Sequence, residues 1–316
     1  MKLMKEAGFS CKSPRAENLL VNRVNALSGP LSRRAGFFLL FNILYGFVFA
    51  AHFAQFFRFS LEQEYSPHFS LILLVSLYLM YTRGQTLCAW AAYWARGGVP
   101  LVLAGVFCYV LGLVLQPGLS QHDFLALTTL GVVTIWIGAF VTFFGLQATR
   151  TGLFPLGFLV FIIPLPEALL SHIITALQYA SAEVVDVLFQ FTPLPVLRED
   201  LSFILPGLSI EVARECSSIR SSMALLITST LISHLLLRRW WSKAIVVLLV
   251  FPLAVFKNGV RIVTLSLLTI YVDAGFMNGG LHHKGGAVFF GLACVVLLVM
   301  LTGLRKLESR YGGSEQ

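Results

Sequence analysis

Charge is what this sequence has least of. Only 12% of its 316 residues are Asp, Glu, Lys or Arg, about half the share of an ordinary soluble domain. A water-soluble fold of this length could not bury the 57% that are hydrophobic, so composition reads as membrane before any motif is considered. No Asp or Glu falls in the core of an apolar run, which argues against a carboxylate proton relay. Paired cysteines are missing as well. Cys11, Cys88, Cys108, Cys216 and Cys294 form no CxxC pair and no metal-ligand spacing, which argues against a disulfide framework or a thiolate metal centre. The first apolar run is too long for the core of a cleavable signal peptide.

What is present is a series of apolar runs, at 36–57, 68–82, 99–115, 125–147, 152–165, 217–237, 244–272 and 287–304. A span needs roughly 17–25 residues, so about eight transmembrane helices are expected, with 68–82 and 152–165 short enough to be re-entrant. The net charge of +8 raises nucleic acid as a partner, but the cations sit where topology signals sit. Of 23 Lys and Arg residues, seven precede the first run, six lie in alternate loops (Arg83, Arg96, Arg150, Arg238, Arg239, Lys243) and three end the chain (Arg305, Lys306, Arg310). With eight spans all of these share one side, and the positive-inside rule puts both termini in the cytoplasm. The expected layout is a basic tail over 1–35, a transmembrane domain over 36–305 and a second cytoplasmic tail over 306–316.

Residues 166–213 form the longest external stretch on this layout. Leu169, Leu170, Ile173, Ile174, Leu177, Ala180, Val184 and Leu188 recur at helical spacing, which predicts an amphipathic helix lying on the membrane surface. Pro193 and Pro195 end it. Alternation over 201–205 and 208–212 around Pro206-Gly207 predicts a β-hairpin. The expected fold class is therefore all-α and polytopic, with a small external amphipathic helix and hairpin.

Three residue groups could carry chemistry. Cys216 begins a span in the polar context Arg214-Glu215-Cys216-Ser217-Ser218-Ile219-Arg220. Helix N-termini and nearby cations favour thiolate over thiol, and Arg220 shares its helix face. The bland alternative, a small buried side chain, suits Cys108 and Cys294 better. His282 and His283 are expected in an external glycine-rich loop, as solvated side chains or as a general acid or base. No carboxylate or third histidine at ligand spacing supports zinc. Arg220, Lys257 and Arg261 lie inside or at the edge of apolar runs, where charge costs a few kcal/mol and marks a candidate site. Arg261 is 17 residues above position 244, about 26 Å at helical rise, near the outer leaflet. It could snorkel, pair with Glu211 or Glu215, or face developing negative charge. Topology alone brings Cys216, Arg261 and His282 to similar depth.

Three segments then show a resemblance. Cys216-Ser217-Ser218-Ile219-Arg220-Ser221, Asn258-Gly259-Val260-Arg261-Ile262, and His282 with Gly286 and Phe290 resemble, in order, the three motifs of the exosortase/archaeosortase family. Ser218 stands where that family has Gly. The spacing selects His282 over His283. The likeness runs over roughly 150–305. It implies a cysteine peptidase or transpeptidase of the bacterial inner membrane, with the site facing the periplasm and no cofactor. By this resemblance Cys216 would form a thioester, His282 would protonate the leaving amine and Arg261 would stabilise the oxyanion. The implied partners are secreted proteins whose C-terminal signal has a motif such as Pro-Glu-Pro, a membrane helix and a basic cluster, together with the lipid bilayer. Arg214, Arg220 and Lys284, with Asn258, are the expected substrate-binding residues. Two rival functions remain at this point. One is a transporter with Arg220, Lys257 and Arg261 along an anion path, although no inverted repeat is visible. The other is a non-catalytic scaffold for envelope or exopolysaccharide assembly.

Overall fold

A backbone in hydrocarbon must close its hydrogen bonds within its own segment, which leaves helices as the default element. The structure, a computed structural model, describes residues 30–62, 69–84, 93–212, 219–272 and 280–311, and within them all side chains except those of residues 30–33, 35, 62, 70, 280–286 and 311. Its helices are α1 (Pro30–Val48), α2 (Ala50–Glu62), α3 (Phe69–Thr82), α4 (Ala95–Leu115), α5 (Gln121–Thr151), α6 (Leu153–Phe158), α7 (Glu167–Phe189), α8 (Ile219–Leu236), α9 (Trp240–Tyr271) and α10 (Gly280–Tyr311). Strands β1 (Leu197–Glu199), β2 (Ser202–Leu205) and β3 (Leu208–Glu211) lie between α7 and α8.

The polytopic, all-α class is confirmed, and the span count is corrected. Among the described residues six helices are long and apolar enough to cross a membrane, or seven if the pair Gly36–Val48 and Ala50–Leu61, bent by 66°, counts as one. The expectation of about eight was too high. Two expected spans, 68–82 and 152–165, are only the short helices Leu71–Thr82 and Leu153–Ile162. The second of these loosens into a 3₁₀ turn over Leu159–Ile162 just before Pro164 and Pro166. In the other direction α7, expected to lie on the membrane surface, has the length and composition of a span. Its buried face is Ile174, Leu177, Gln178, Ser181, Ala182, Val185 and Phe189, a stripe at helical spacing that meets protein rather than lipid headgroups.

The chain divides into two compact units, Met1–Phe59 with Ser70–Pro164, and Ser60–Phe69 with Leu165–Gln316. In the first, α4 and α5 pack antiparallel along a seam of glycines. A Cβ on Gly105 would lie 2.6 Å from the Ile135 nitrogen, and one on Gly138 would lie 2.7 Å from the Val102 nitrogen. Backbones this close are a known way to associate helices where no hydrophobic effect drives them together. Helix α5 is kinked at Gly145, whose φ of 81° is open to glycine and strained for other residues. Helix α1 joins α5 through Trp136 Nε1, which donates to Asn42 Oδ1 at 2.9 Å, and Tyr45 Oη, which donates to the Val132 carbonyl at 2.7 Å.

In the second unit α7 and α9 run parallel. Leu177 clusters with Val255, while Ala182, Val185 and Phe189 cluster with Ile262 and Val263 further along both helices. Helix α8 returns antiparallel to them, with Leu225 packed among Val246, Val250, Ala254, Ala293, Leu297 and Leu301. The expected hairpin is present as β2 and β3, joined at Pro206-Gly207 with Gly207 at φ 76°. A third strand, β1, extends it into an antiparallel meander. Phe203, Leu205, Ile210 and Val212 bury against the C-terminal halves of α7 and α9. At the opposite end, Glu308 of α10 accepts from the Arg238 and Arg239 amides, both at 3.0 Å, at the start of α9. A carboxylate there satisfies amides that no helical carbonyl reaches.

The glycine seam predicts that Gly105→Ala and Gly138→Ala each lower the thermal midpoint of the purified protein in detergent, by overpacking worth about 1–3 kcal/mol. Gly46→Ala, whose new Cβ meets nothing within 4 Å, should leave the midpoint unchanged or raise it. Equal midpoints for all three variants would refute the close approach.

Candidate functional site

One turn and a half of α9 carries buried polar residues in the second unit. Lys257, Asn258 and Gly259 are all buried, Lys257 with 6% of its surface exposed and Asn258 with 1%. Each meets a different neighbour. Lys257 Nζ donates to Ser221 Oγ in the first turn of α8. Asn258 Nδ2 donates to Ser181 Oγ of α7 at 3.0 Å. Gly259 lies under Val184 of α7, where a Cβ would be 2.5 Å from Val184 Cγ1. Arg261 follows on the same face, three residues from Asn258 and four from Lys257, half-buried and within electrostatic range of Lys257. Cys294 of α10 is the other group in that range.

The sheet sits above this layer. Gln178 Nε2 of α7 donates to the Val212 carbonyl at 2.8 Å, at the end of β3. Val212 is fully buried, and so, nearly, is Ile219 at the start of α8. On β1, Arg198 reaches Glu183 at 2.6 Å and Asp186 at 3.7 Å on α7. Those contacts brace the sheet against the helix on its exposed side. Arg261 is ten residues from the C-terminal end of α9, about 15 Å at helical rise, at the level where Ile262 and Val263 pack on the sheet.

Antiparallel packing settles which helix ends come together. Because α10 ends beside the start of α9 through Glu308, its own start lies toward the end of α9. The start of α8 lies there too, through Ser221 and Lys257.

The predicted site residues fall on this frame unevenly. Arg261 and Asn258 are brought into one layer with Lys257. Arg220 is on the first turn of α8 and exposed. Cys216 and Arg214 lie outside the described residues, which stop at Val212 and resume at Ile219. His282, His283 and Lys284 were expected in a loop. They stand instead in the first turn of α10, which begins at Gly280. Ser181, Gln178 and Ser221 were not predicted. The first two could have been suspected as polar residues on an otherwise apolar helical stripe, and Ser221 closes the Cys216 motif.

The profile described as Transmembrane exosortase (Exosortase_EpsH) matches residues 60–299. The chain belongs to the transmembrane exosortase family. No curated protein and no solved structure gives a significant match. In this exosortase the motif Asn258-Gly259-Val260-Arg261 lies on α9, where its Asn258 and Gly259 touch α7, and the residues from Cys216 to Ser221 run into α8. The His282 motif opens α10, and its Phe290 packs with the cluster around Leu225 and Leu297.

Gly259→Ala should drive α7 away from α9 and lower the thermal midpoint. The contact it creates is with a side chain rather than backbone, so Val184→Ala in the same protein should restore most of the loss. The check is a double-mutant cycle in thermal midpoint. Simple additivity of the two substitutions would show that α7 does not rest on Gly259.

Proposed function

We propose that this exosortase-family protein is a membrane-embedded cysteine peptidase or transpeptidase that cleaves C-terminal sorting signals of secreted proteins. The observation that carries the proposal is the family match over 60–299; that the starts of α8 and α10 both lie toward the C-terminal half of α9 supports it. Cys216 is the nucleophile. Its sulfur attacks the scissile carbonyl, the C–S bond forms, and the tetrahedral oxyanion collapses with loss of the C–N bond. Arg261, held on a buried face of α9, supplies a planar donor fork for the oxyanion. His282, in the first turn of α10, gives the leaving amine its proton. Water or an acceptor amine then takes the acyl group from sulfur.

Two basic clusters support one membrane orientation of the second unit. Arg238, Arg239 and Lys243 flank the start of α9, and Arg305, Lys306 and Arg310 end α10. The Glu308 contacts bring these two segments together. By the positive-inside rule that end, with the C-terminus, is cytoplasmic in a bacterial inner membrane and the sheet end is periplasmic; the seven Lys and Arg residues of the N-terminal tail support a cytoplasmic N-terminus by the same rule. A substrate signal made of an acidic motif, an apolar helix and a basic tail matches this polarity. Its carboxylate would meet Arg214, Arg220 or Lys284 at the outer end while its basic tail stays in the cytoplasm.

Cys216→Ala and Cys216→Ser should leave substrate unprocessed at normal membrane levels, whereas Cys108→Ser and Cys294→Ser should not. His282→Ala should slow processing by about 10²–10⁴, and His283→Ala by far less. Arg261→Lys should be slow and Arg261→Ala slower still, by a total of about 10²–10³ for one lost oxyanion donor. The measurement is accumulation of the uncleaved form of a co-expressed secreted reporter bearing such a signal. Normal cleavage by Cys216→Ala would end the enzymatic reading.

A further inference from the structure

Lys257 and Asn258 have no part in the chemistry proposed above, yet both are buried deep in a span-length helix. Asn258, expected to bind substrate, is buried and donates its amide to Ser181 of α7. Lys257 is directed at Ser221, and among the described residues no carboxylate pairs with it. A buried ammonium with a hydroxyl for its partner stabilises a fold poorly, and charge at that depth is costly. What the two side chains do achieve is geometric. They are adjacent on one turn of α9 and point to different helices, Lys257 to the first turn of α8 and Asn258 to the middle of α7. Arg261 is the next turn along the same face.

We infer that Lys257 and Asn258 are positioning residues, a pair of polar ties that set the heights of α8 and α7 against α9 and so the register between Arg261 and the segment leading from Cys216 into α8. This inference rests on the functional reading above and deepens it. Ser221 is five residues from Cys216 along the chain. A slip of α8 past α9 would carry the entrance to α8 away from Arg261. The apolar contacts of α8 with Val246, Val250 and Ala254 tolerate such slippage, because one aliphatic ridge is much like the next. Polar pairs do not tolerate it, since moving by one residue breaks the hydrogen bond in a setting with no water to replace it. Gln178, which holds the Val212 carbonyl from the same face of α7 as Ser181, links the sheet end of the Cys216 segment to the same frame.

The test uses the full chain in membranes and a secreted reporter ending in a Pro-Glu-Pro motif, an apolar helix and a basic tail, with variants compared at matched folded levels. Lys257→Met and Ser221→Ala should each lower kcat about tenfold to a hundredfold, the scale of an ångström-sized misplacement, with KM within about twofold. The double variant should be no worse than the poorer single one, because both remove the same tie. Ser221→Thr, which keeps the hydroxyl, should recover most of the rate. Asn258→Ala and Ser181→Ala should form a second such pair. Wild-type kcat for Lys257→Met, a loss confined to KM, or full multiplication of the Lys257 and Ser221 effects would overturn the inference. If Cys216→Ala is inactive while Lys257→Met is normal, only the inference fails. If Cys216→Ala is active, the functional reading itself fails.

Discussion

A lysine ammonium in the middle of a bilayer-length helix costs about 2.5–3.5 kcal/mol on insertion scales, and Lys257 is held there with 6% of its surface exposed. The second unit is arranged around accommodating it. Ser221 receives its hydrogen bond, which places the start of α8. The neighbouring Asn258 receives its own partner from α7, and Gly259 lets α7 come close enough for that bond to form. With α7 drawn in parallel to α9, the sheet that follows α7 has a surface to bury its four large side chains against. Remove the polar layer and the remaining contacts are aliphatic ridges that fit at several heights.

The two units solve the association of helices in apolar surroundings in different ways. The first uses bare glycine backbone, with α4 and α5 in contact over their length, and adds a ring cluster around Phe38 and Phe140. The second uses few glycines and more hydroxyls and amides. Glycine seams give closeness without marking a height, whereas each side-chain pair marks one. The polar ties of the second unit lie beside Arg261 on α9 and at the start of α8, where a fixed height between helices matters most for the proposed chemistry.

Much of this was legible in the sequence. Long apolar runs gave helices because period and length agree, and Pro206-Gly207 between alternating strands gave the hairpin. What was hidden depended on partners far along the chain. Helix α7 reads as a surface helix because Gln178, Ser181, Glu183 and Asp186 interrupt its apolar stripe. Gln178 and Ser181 are in fact matched by the Val212 carbonyl and Asn258, 34 and 77 residues away, and Glu183 and Asp186 by Arg198 of β1. Strand β1 is three residues of mixed polarity after two prolines, too short for alternation to show. Glycines around His282 suggested a loop, since each costs a helix about 1 kcal/mol. The apolar run that follows nevertheless carries the helix back to Gly280.

The claim on which the whole account turns is that acyl transfer passes through sulfur at Cys216. Hydroxylamine tests this directly, because it intercepts thioesters in preference to amides. Membranes carrying the wild-type chain, given the signal-bearing reporter and hydroxylamine, should release a reporter whose new C-terminus is a hydroxamate by mass spectrometry, and Cys216→Ala membranes should release none. Cleavage that continues in wild-type membranes with no hydroxamate formed, or hydroxamate formed equally without Cys216, would contradict the account.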